Sequence, residues 1–411
     1  MYDFLIVGAG IVGLSVGMHL SKEYPNAKIA VVDKEDDICH HQTGHNSGVI
    51  HSGIYYTPGS FKARFARNGS QSMVRFCEEN DIPFEKCGKL IVAVDEKELP
   101  RLENLFQRGL ANQLNIRKVG PEEINEMEPH VHAISGIYVS ATGIVNYKQV
   151  GKVYAEKIKE KNGEILTGTK VQNINMTKEF IELETSRGML RTKFMINCAG
   201  LYSDKITEMS GLKTDMKIVP FRGEYYELKK EKQYLVKNLV YPVPNPEFPF
   251  LGVHFTRMID GHVHVGPNAV LSLRREGYKK TDIHIKELME TLTYRGFWKI
   301  ASTYMGEGVK EMIRSFSKKA FVKNVQKYFP QIKAEDLVPS PAGVRAQALT
   351  KDGKLLDDFY ILQTDRSIQI GNAPSPAATA SLEIGRYVAD LIKNKKDNNN
   401  PLADNYETVS K

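Results

Sequence analysis

The stretch Phe4-Leu5-Ile6-Val7-Gly8-Ala9-Gly10-Ile11-Val12-Gly13-Leu14, near the start of the 411-residue chain, decides the fold. Four consecutive apolar residues read as a strand buried on both faces, the habit of parallel sheets. The glycines at 8, 10 and 13 then follow the dinucleotide spacing. Gly8 serves the turn out of the strand, Gly10 the close approach of the backbone to a pyrophosphate, and Gly13 the packing of helix on strand. The helix is expected to run to about Glu23, with free N-terminal amides available to phosphate. Glycine-rich turns are common, so the pattern needs its context, and the context is present. A second apolar strand, Lys28-Ile29-Ala30-Val31-Val32, ends at Asp33, twenty residues after Gly13, where an acid able to hold a ribose hydroxyl is expected.

Composition bounds the class. A makeup of 41% hydrophobic and 26% charged residues is ordinary for a globular protein, and the length suits two intimately connected domains. No run approaches the roughly eighteen apolar residues of a membrane span. The first strand begins at once and leaves no room for a signal peptide, so a cytoplasmic location is expected. Cys39, Cys77, Cys87 and Cys198 form no CxxC pair and read as reduced thiols, not as a zinc or disulfide scaffold. The 56 basic and 49 acidic residues leave a net +7, which suits anionic substrates or an anionic membrane surface, and equally a plain solvated surface. No basic-aromatic pattern points to nucleic acid.

After Asp33 a polar loop carries His40, His41, His45 and His51. Their spacing does not repeat and no carboxylate or thiolate pair completes a set, so no metal is expected. The Gly, Ser and Asn between them suit a backbone lying against a second part of the dinucleotide. Helices are expected over 62–79, 96–112 and 146–161, and a strand over 89–94. Short alternating segments at 171–174 and 180–184, with a turn at Arg187-Gly188, read as a β-meander inserted in the nucleotide domain. The strand Phe194-Met195-Ile196 runs into Asn197-Cys198-Ala199-Gly200, a second point of close approach, where Cys198 reads as a packed small side chain. Residues 215–315 change character: aromatic strands punctuated by Pro and Gly predict an antiparallel sheet forming a substrate domain. Helices at 285–292, 298–305 and 310–328 follow. Ile368-Gln369-Ile370-Gly371-Asn372-Ala373-Pro374-Ser375-Pro376 is expected to open a helix over 377–392, ahead of a disordered polar tail over 393–411.

Several segments in register carry a closer resemblance. They are Asn46-Ser47-Gly48-Val49-Ile50-His51-Ser52-Gly53-Ile54-Tyr55-Tyr56, Phe221-Arg222-Gly223-Glu224-Tyr225-Tyr226, Tyr241-Pro242-Val243-Pro244 through Phe250-Leu251-Gly252-Val253-His254-Phe255-Thr256-Arg257, Gly266-Pro267-Asn268-Ala269, Ala342-Gly343-Val344-Arg345-Ala346-Gln347 and Asn372-Ala373-Pro374-Ser375-Pro376-Ala377-Ala378-Thr379. Together they span nearly the full chain. They resemble the FAD-dependent amino-acid-oxidase-like superfamily, which includes glycine oxidase, sarcosine oxidase and the flavin glycerol-3-phosphate dehydrogenases. Within it they are most similar to the L-2-hydroxyglutarate oxidase/dehydrogenase family.

The resemblance implies an α/β fold. A Rossmann-like FAD-binding domain with a parallel sheet (1–85, 146–214 and 336–392) is interleaved with an α+β substrate domain bearing an antiparallel sheet (86–145 and 215–335). The implied activity is oxidation of a small dicarboxylic hydroxy acid, L-2-hydroxyglutarate, to 2-oxoglutarate, with electrons passing to membrane quinone or oxygen. That acceptor would allow peripheral attachment to the inner face of the cell membrane; the oligomeric state is left open. The pyrophosphate is then expected on Gly8, Gly10 and Gly13, and the adenosine ribose on Asp33 beside Lys34. Ser47 and Gly48 approach the flavin, Val171 lies near the adenine, Ala199 and Gly200 flank the adenosine diphosphate, and Gly343, Gly371, Asn372, Ala373 and Ser375 complete the cofactor contacts. The helix from Ala377 would aim its N-terminus at the flavin.

Oxidising a hydroxy acid requires a hydride to leave Cα while a base takes the hydroxyl proton. Histidine suits that base, since its unperturbed pKa is about 6.5. His254 and His51 are the candidates, each also readable as a hydrogen-bonded core residue or a loop spacer. A dicarboxylate calls for guanidinium forks, and Arg345, Arg257 and Arg222 are available, Arg345 first. Arg222 and Arg257 serve equally well as salt-bridge partners. Tyr241 and Tyr55 can donate to substrate or simply pack. A glycine or sarcosine-type amine oxidase, a glycerol-3-phosphate dehydrogenase and a flavin carrier without turnover are the rival readings.

Overall fold

A computed structural model describes residues 1–245, 252–304, 306, 308 and 315–398. The strand Tyr2–Val7 lies inside an eight-stranded sheet, because Phe4 to Val7 offer no polar side to water. It pairs in parallel with Ile29–Val32 on one side and with the end of Gly188–Asn197 on the other. Glu164–Leu166 and Ser367–Asn372 extend the parallel core outward, and antiparallel Tyr360–Gln363 closes one edge. Val171–Met176 and Ile181–Thr185 form the meander with the first half of Gly188–Asn197, so one strand serves both the meander and the parallel core. Helices Ile11–Glu23, Phe61–Glu79, Tyr147–Glu160 and Ser381–Asn398 pack on one face through Leu14, Leu20, Phe65, Ile158 and Val388. The meander's Ile174, Ile181 and Leu183 cover Leu5, Val7 and Val32 on the other.

The second sheet has nine strands and is built on a long antiparallel pair, Met216–Leu228 with Leu337–Thr350. Leu239–Pro242, His254–Arg257, Val263–Gly266 and Val270–Leu271 join it, as do Lys89–Ala93, Ile116–Val119 and Ser135–Val139. Phe321, Val325 and Phe329 cover one face against Leu90, Val92 and Phe255. Leu102 and Leu105 of the helix Leu99–Ala111 pack on the other with Ile91, Ala93 and Tyr241. A small sheet of Val49–Ile50, Gly143–Val145 and Phe84–Glu85 is separate from both.

Three expectations are corrected. Leu337–Thr350 belongs to the second sheet, so the chain rejoins the parallel sheet only at Tyr360; a strand pattern does not name its partner, and this one finds Met216–Leu228. The helix expected from Ala377 starts at Ser381. Pro374 and Pro376 have no N–H to give, and the Thr379 hydroxyl is engaged with the Val49 carbonyl at 3.2 Å and Tyr147 Oη at 2.8 Å, which holds 374–380 as turns. That helix continues to Asn398, so residues 393–398 are helical where an unstructured tail was expected; the rest of the tail lies outside the described residues. Of the helices expected at 298–305 and 310–328, the described parts are Arg295–Thr303 and Lys318–Val325, while Met305, 309–314 and the quoted Phe250-Leu251 fall outside. No helix among the described residues is long and apolar enough to cross a membrane.

Candidate active site

The C-terminal ends of the parallel strands face the second sheet across a cavity of about 1190 Å³. That exceeds the roughly 300–1,000 Å³ of an ordinary small-molecule pocket, and open parallel sheets bind dinucleotides at these strand ends. The glycine turn is shaped for the task. Gly8 has φ +110°, and a Cβ on it would lie 2.4 Å from the Cys198 carbonyl oxygen. A Cβ on Gly13 would sit 1.9 Å from the Gly8 carbonyl oxygen, so the helix can approach the turn only as glycine. Gly10 caps the helix Ile11–Glu23 without a side chain, and a Cβ there would meet only Thr43 Oγ1 at 3.5 Å, which leaves backbone facing the cavity.

Asp33 is fixed in the wall: one carboxylate oxygen accepts from the Ala9 amide at 2.7 Å and the other from the Glu35 amide at 3.0 Å. Val171, Ala199 and Gly200 continue this end, and Ser47, Gly343, Gly371, Asn372, Ala373 and Ser375 line the stretch towards the second sheet. The structure does not put Gly13 or Gly48 in the wall. Gly13 packs on Gly8, and Gly48 turns with φ +63° against the Val145 carbonyl.

Lys34 is in the wall, with its ammonium committed to carboxylates. It contacts Glu35 and lies 2.7 Å from Glu276, whose Oε1 is also 2.8 Å from His41 Nε2. Burial raises the Glu35 carboxyl, but Lys34 and His41 outweigh it and hold the group at about 2. The ligating atoms of Glu35, His41 and Glu276 lie within 4.8 Å of one another, with the Lys34 ammonium beside them as the compensating cation.

At the second-sheet end the wall holds His51, Tyr55 and Arg345 together. Arg345 sits on Leu337–Thr350 opposite Phe221, against the Tyr225 hydroxyl. His254 and Tyr241 are buried outside that wall, their rings stacked at 4.1 Å. Burial drives both imidazoles down to about 3, helped by the charge of Lys89 and Arg345, so each is neutral at physiological pH. His254 Nδ1 lies 3.2 Å from the Gly252 carbonyl; that contact assigns the proton to Nδ1 and leaves Nε2 an acceptor. His51 Nδ1 has no hydrogen-bond partner among the described residues.

For two arginines the contacts fit the salt-bridge reading. Arg222 donates to Glu224 at 2.9 Å and to the Lys279 carbonyl, and Arg257 donates to the Lys237 carbonyl and pairs with Glu85. Neither lines the cavity, since each has a carboxylate nearer its own strand. The sequence reading missed Tyr56 and Lys62, which are wall residues, Lys62 being paired with Asp357 at 2.7 Å. It also missed Lys89, whose ammonium lies 4.5 Å from the Tyr55 ring centroid and 4.8 Å from that of Tyr241. Period-2 alternation was the available signal: it puts Lys89 on the face of Ile91 and Ala93.

The fold and this wall define a flavin oxidoreductase. A family model described as FAD dependent oxidoreductase matches residues 3–391, and the chain belongs to that family, with FAD as its cofactor. More particularly, the chain is 50% identical over 391 residues to an L-2-hydroxyglutarate dehydrogenase of Indibacter alkaliphilus, covering 95% of this chain and 98% of that one. An L-2-hydroxyglutarate dehydrogenase of Salmonella houtenae is 44% identical, over 96% and 93%. Among solved structures, L-α-glycerophosphate oxidase from Mycoplasma pneumoniae with FAD bound superposes with a TM-score of 0.78 at 24% identity, covering 95% and 94% of the two chains, and shares the fold.

Proposed function

We propose that the chain oxidises L-2-hydroxyglutarate to 2-oxoglutarate. The observation that carries this reading is the 50% identity to an L-2-hydroxyglutarate dehydrogenase across nearly the whole of both chains; it is supported by a wall that contains both Arg345 and the neutral imidazole of His51, whose pKa the Arg345 charge helps to lower. Bound FAD supplies the acceptor for the hydride from C2. Arg345 takes the carboxylate next to the hydroxyl, and its fork fixes the C2–H direction. His51 accepts the hydroxyl proton: of the two candidate imidazoles it is the one in the wall, and its Nδ1 has no partner among the described residues. Two substrate carboxylates raise the proton affinity of this imidazole as they bind, which moves it towards useful basicity.

A second reading rests on the Gly252 contact, which leaves Nε2 of His254 as the acceptor. Anaerobic flavin reduction by L-2-hydroxyglutarate separates the two. His51→Gln should keep its flavin and slow reduction by roughly 10²–10⁴, with His254→Gln slowed less than tenfold; the reverse order assigns the base to His254. The same assay, run with both enantiomers of 2-hydroxy acids, glycine, sarcosine and glycerol 3-phosphate, tests the reaction itself. Faster bleaching by an amine or by glycerol 3-phosphate would replace the reading.

Electrons pass on to a membrane quinone in this reading, and the enzyme binds peripherally to reach it. What supports this is an apolar surface on the adjacent helices Ile285–Leu292 and Arg295–Thr303, where Ile285 and Trp298 are 76% and 57% exposed beside Lys286 and Arg295.

A further inference from the structure

Lys89 is the most deeply buried cation near the candidate base, and it has no anion. Its side chain is 1% exposed, and among the described residues it makes no hydrogen bond or ion pair. Other buried cations in the chain are matched: Arg275 by Asp204 at 2.6 Å, Lys62 by Asp357 at 2.7 Å, Arg222 by Glu224 at 2.9 Å. Lys89 instead lies between the rings of Tyr55 and Tyr241, a contact worth roughly 0.5–2 kcal/mol, far below the cost of burying an ammonium. Nearby polar atoms are also left unsatisfied. The Tyr55 hydroxyl and His51 Nδ1 are buried without a partner among the described residues. Both belong to wall residues of the cavity, and both His51 and His254 feel the charge of Lys89.

Lys89 is not itself in the wall: it is a buried cation without an anion among the described residues, packed on the ring of the wall residue Tyr55 beside the orphaned polar atoms of Tyr55 and His51. The same cavity offers Arg345 to one carboxylate, which leaves this end to a second one. We propose that the Lys89 ammonium, with the Tyr55 hydroxyl, binds the distal carboxylate of the substrate and thereby selects dicarboxylic over monocarboxylic 2-hydroxy acids. This rests on the reading above and specifies how the chain would recognise the far end of that substrate. Charge matching explains the burial: the anion arrives with the substrate, and the desolvation cost of the ammonium is offset on binding. The group is also poised to respond, since burial lowers the Lys89 ammonium to about 7.

The test uses the FAD-loaded enzyme and two substrates, L-2-hydroxyglutarate and L-2-hydroxyvalerate, in which a methyl group replaces the distal carboxylate. Lys89→Met keeps the stem and removes the charge. Its kcat/KM for the diacid should fall about ten- to a hundredfold, mainly through KM, the factor of a lost charged hydrogen bond. Its kcat/KM for the monoacid should stay within threefold. A diacid preference that survives the substitution overturns the proposal and leaves Lys89 as a clamp between two rings.

Should Lys89→Met lose its flavin, wild type answers the same question through two competitive inhibitors, glutarate and butyrate. The groups around Lys89 are Tyr55, Tyr241, His51 and His254, and their effects on the shared carboxylate cancel in the ratio of the two inhibition constants. That ratio should move against glutarate as pH rises above about 7, and a ratio flat from pH 6 to 9 overturns the proposal. Wild type that does not oxidise L-2-hydroxyglutarate removes both readings, whereas turnover with unchanged preference in Lys89→Met removes only the Lys89 contact.

Discussion

His51 and His254 put a price on acid. Each is neutral in the fold, with its pKa driven to about 3, while the unfolded chain regains a pKa near 6.5. Between those values the unfolded state binds a proton that the folded state refuses, so stability is lost as pH falls from 6.5 towards 3. Between pH 7 and pH 5 each imidazole should cost about 2 kcal/mol. Urea unfolding at both pH values should therefore show His254→Gln losing less on acidification than wild type. Equal losses would mean that the imidazole is already solvated or protonated in the fold. At this scale the sequence was readable where a residue's task is local. Gly8 and Gly13 announce themselves because a turn and a close helix need them whatever lies further along the chain. Arg222 and Arg257 stayed between two readings because their choice between substrate and Glu224 or Glu85 depends on where neighbouring strands set those carboxylates. Lys89 was missed although period-2 alternation puts it on the face of Ile91 and Ala93, since nothing local says that a lysine opening a strand is covered by Tyr55 and Tyr241.

Elements show the same division. The buried runs Tyr2–Val7 and Ile29–Val32 carry their partnership in their composition, because a strand apolar on both faces belongs inside a parallel sheet. Leu337–Thr350 carries no such mark and pairs with a strand more than a hundred residues earlier. Least legible was the loop after Val270–Leu271, which crosses back to the nucleotide end. Arg275 there is 3% exposed and donates to both oxygens of Asp204, at 2.6 and 2.8 Å, and to the Leu201 carbonyl at 2.6 Å. The next residue, Glu276, joins Lys34 and His41, and Tyr278 stacks on His45 at 4.2 Å. This loop is thus a strap from the substrate sheet over the nucleotide end, fastened by the buried Arg275–Asp204 pair and by Glu276 on Lys34 and His41. Asp204→Asn should leave the buried guanidinium with only Glu290, at 3.8 Å, as a charge partner and cost up to about 3–5 kcal/mol. The readouts are the thermal midpoint and the rate at which FAD is lost on dilution, both of which should worsen together. A lower midpoint with unchanged FAD retention would separate the strap from the cofactor.

The whole molecule combines a net charge of +7 with an apolar surface at one place, the helices Ile285–Leu292 and Arg295–Thr303. Ile283, Ile285, Met289 and Trp298 are each about half exposed or more there, with Lys279, Lys286 and Arg295 among them. Apolar side chains at a bilayer interface gain by leaving water, and each lysine or arginine near an anionic surface adds about 1 kcal/mol. Neither effect suffices alone: no helix among the described residues is long and apolar enough to cross a membrane, and a charge of this size is screened within about 8 Å at physiological salt. The attachment proposed above is therefore reversible and needs both. Sedimentation with phosphatidylglycerol-containing vesicles should therefore bring the enzyme down, pure phosphatidylcholine vesicles should not, and high salt should release it. Ile285→Asp combined with Trp298→Asp should abolish sedimentation while leaving turnover with a water-soluble electron acceptor unchanged, because neither residue lines the cavity. If the double variant still sediments, the attachment is electrostatic and unspecific, and the +7 alone accounts for it. If it stays in solution yet reduces a membrane quinone as fast as wild type, electron delivery does not depend on this surface, and the peripheral reading fails at the step where it matters.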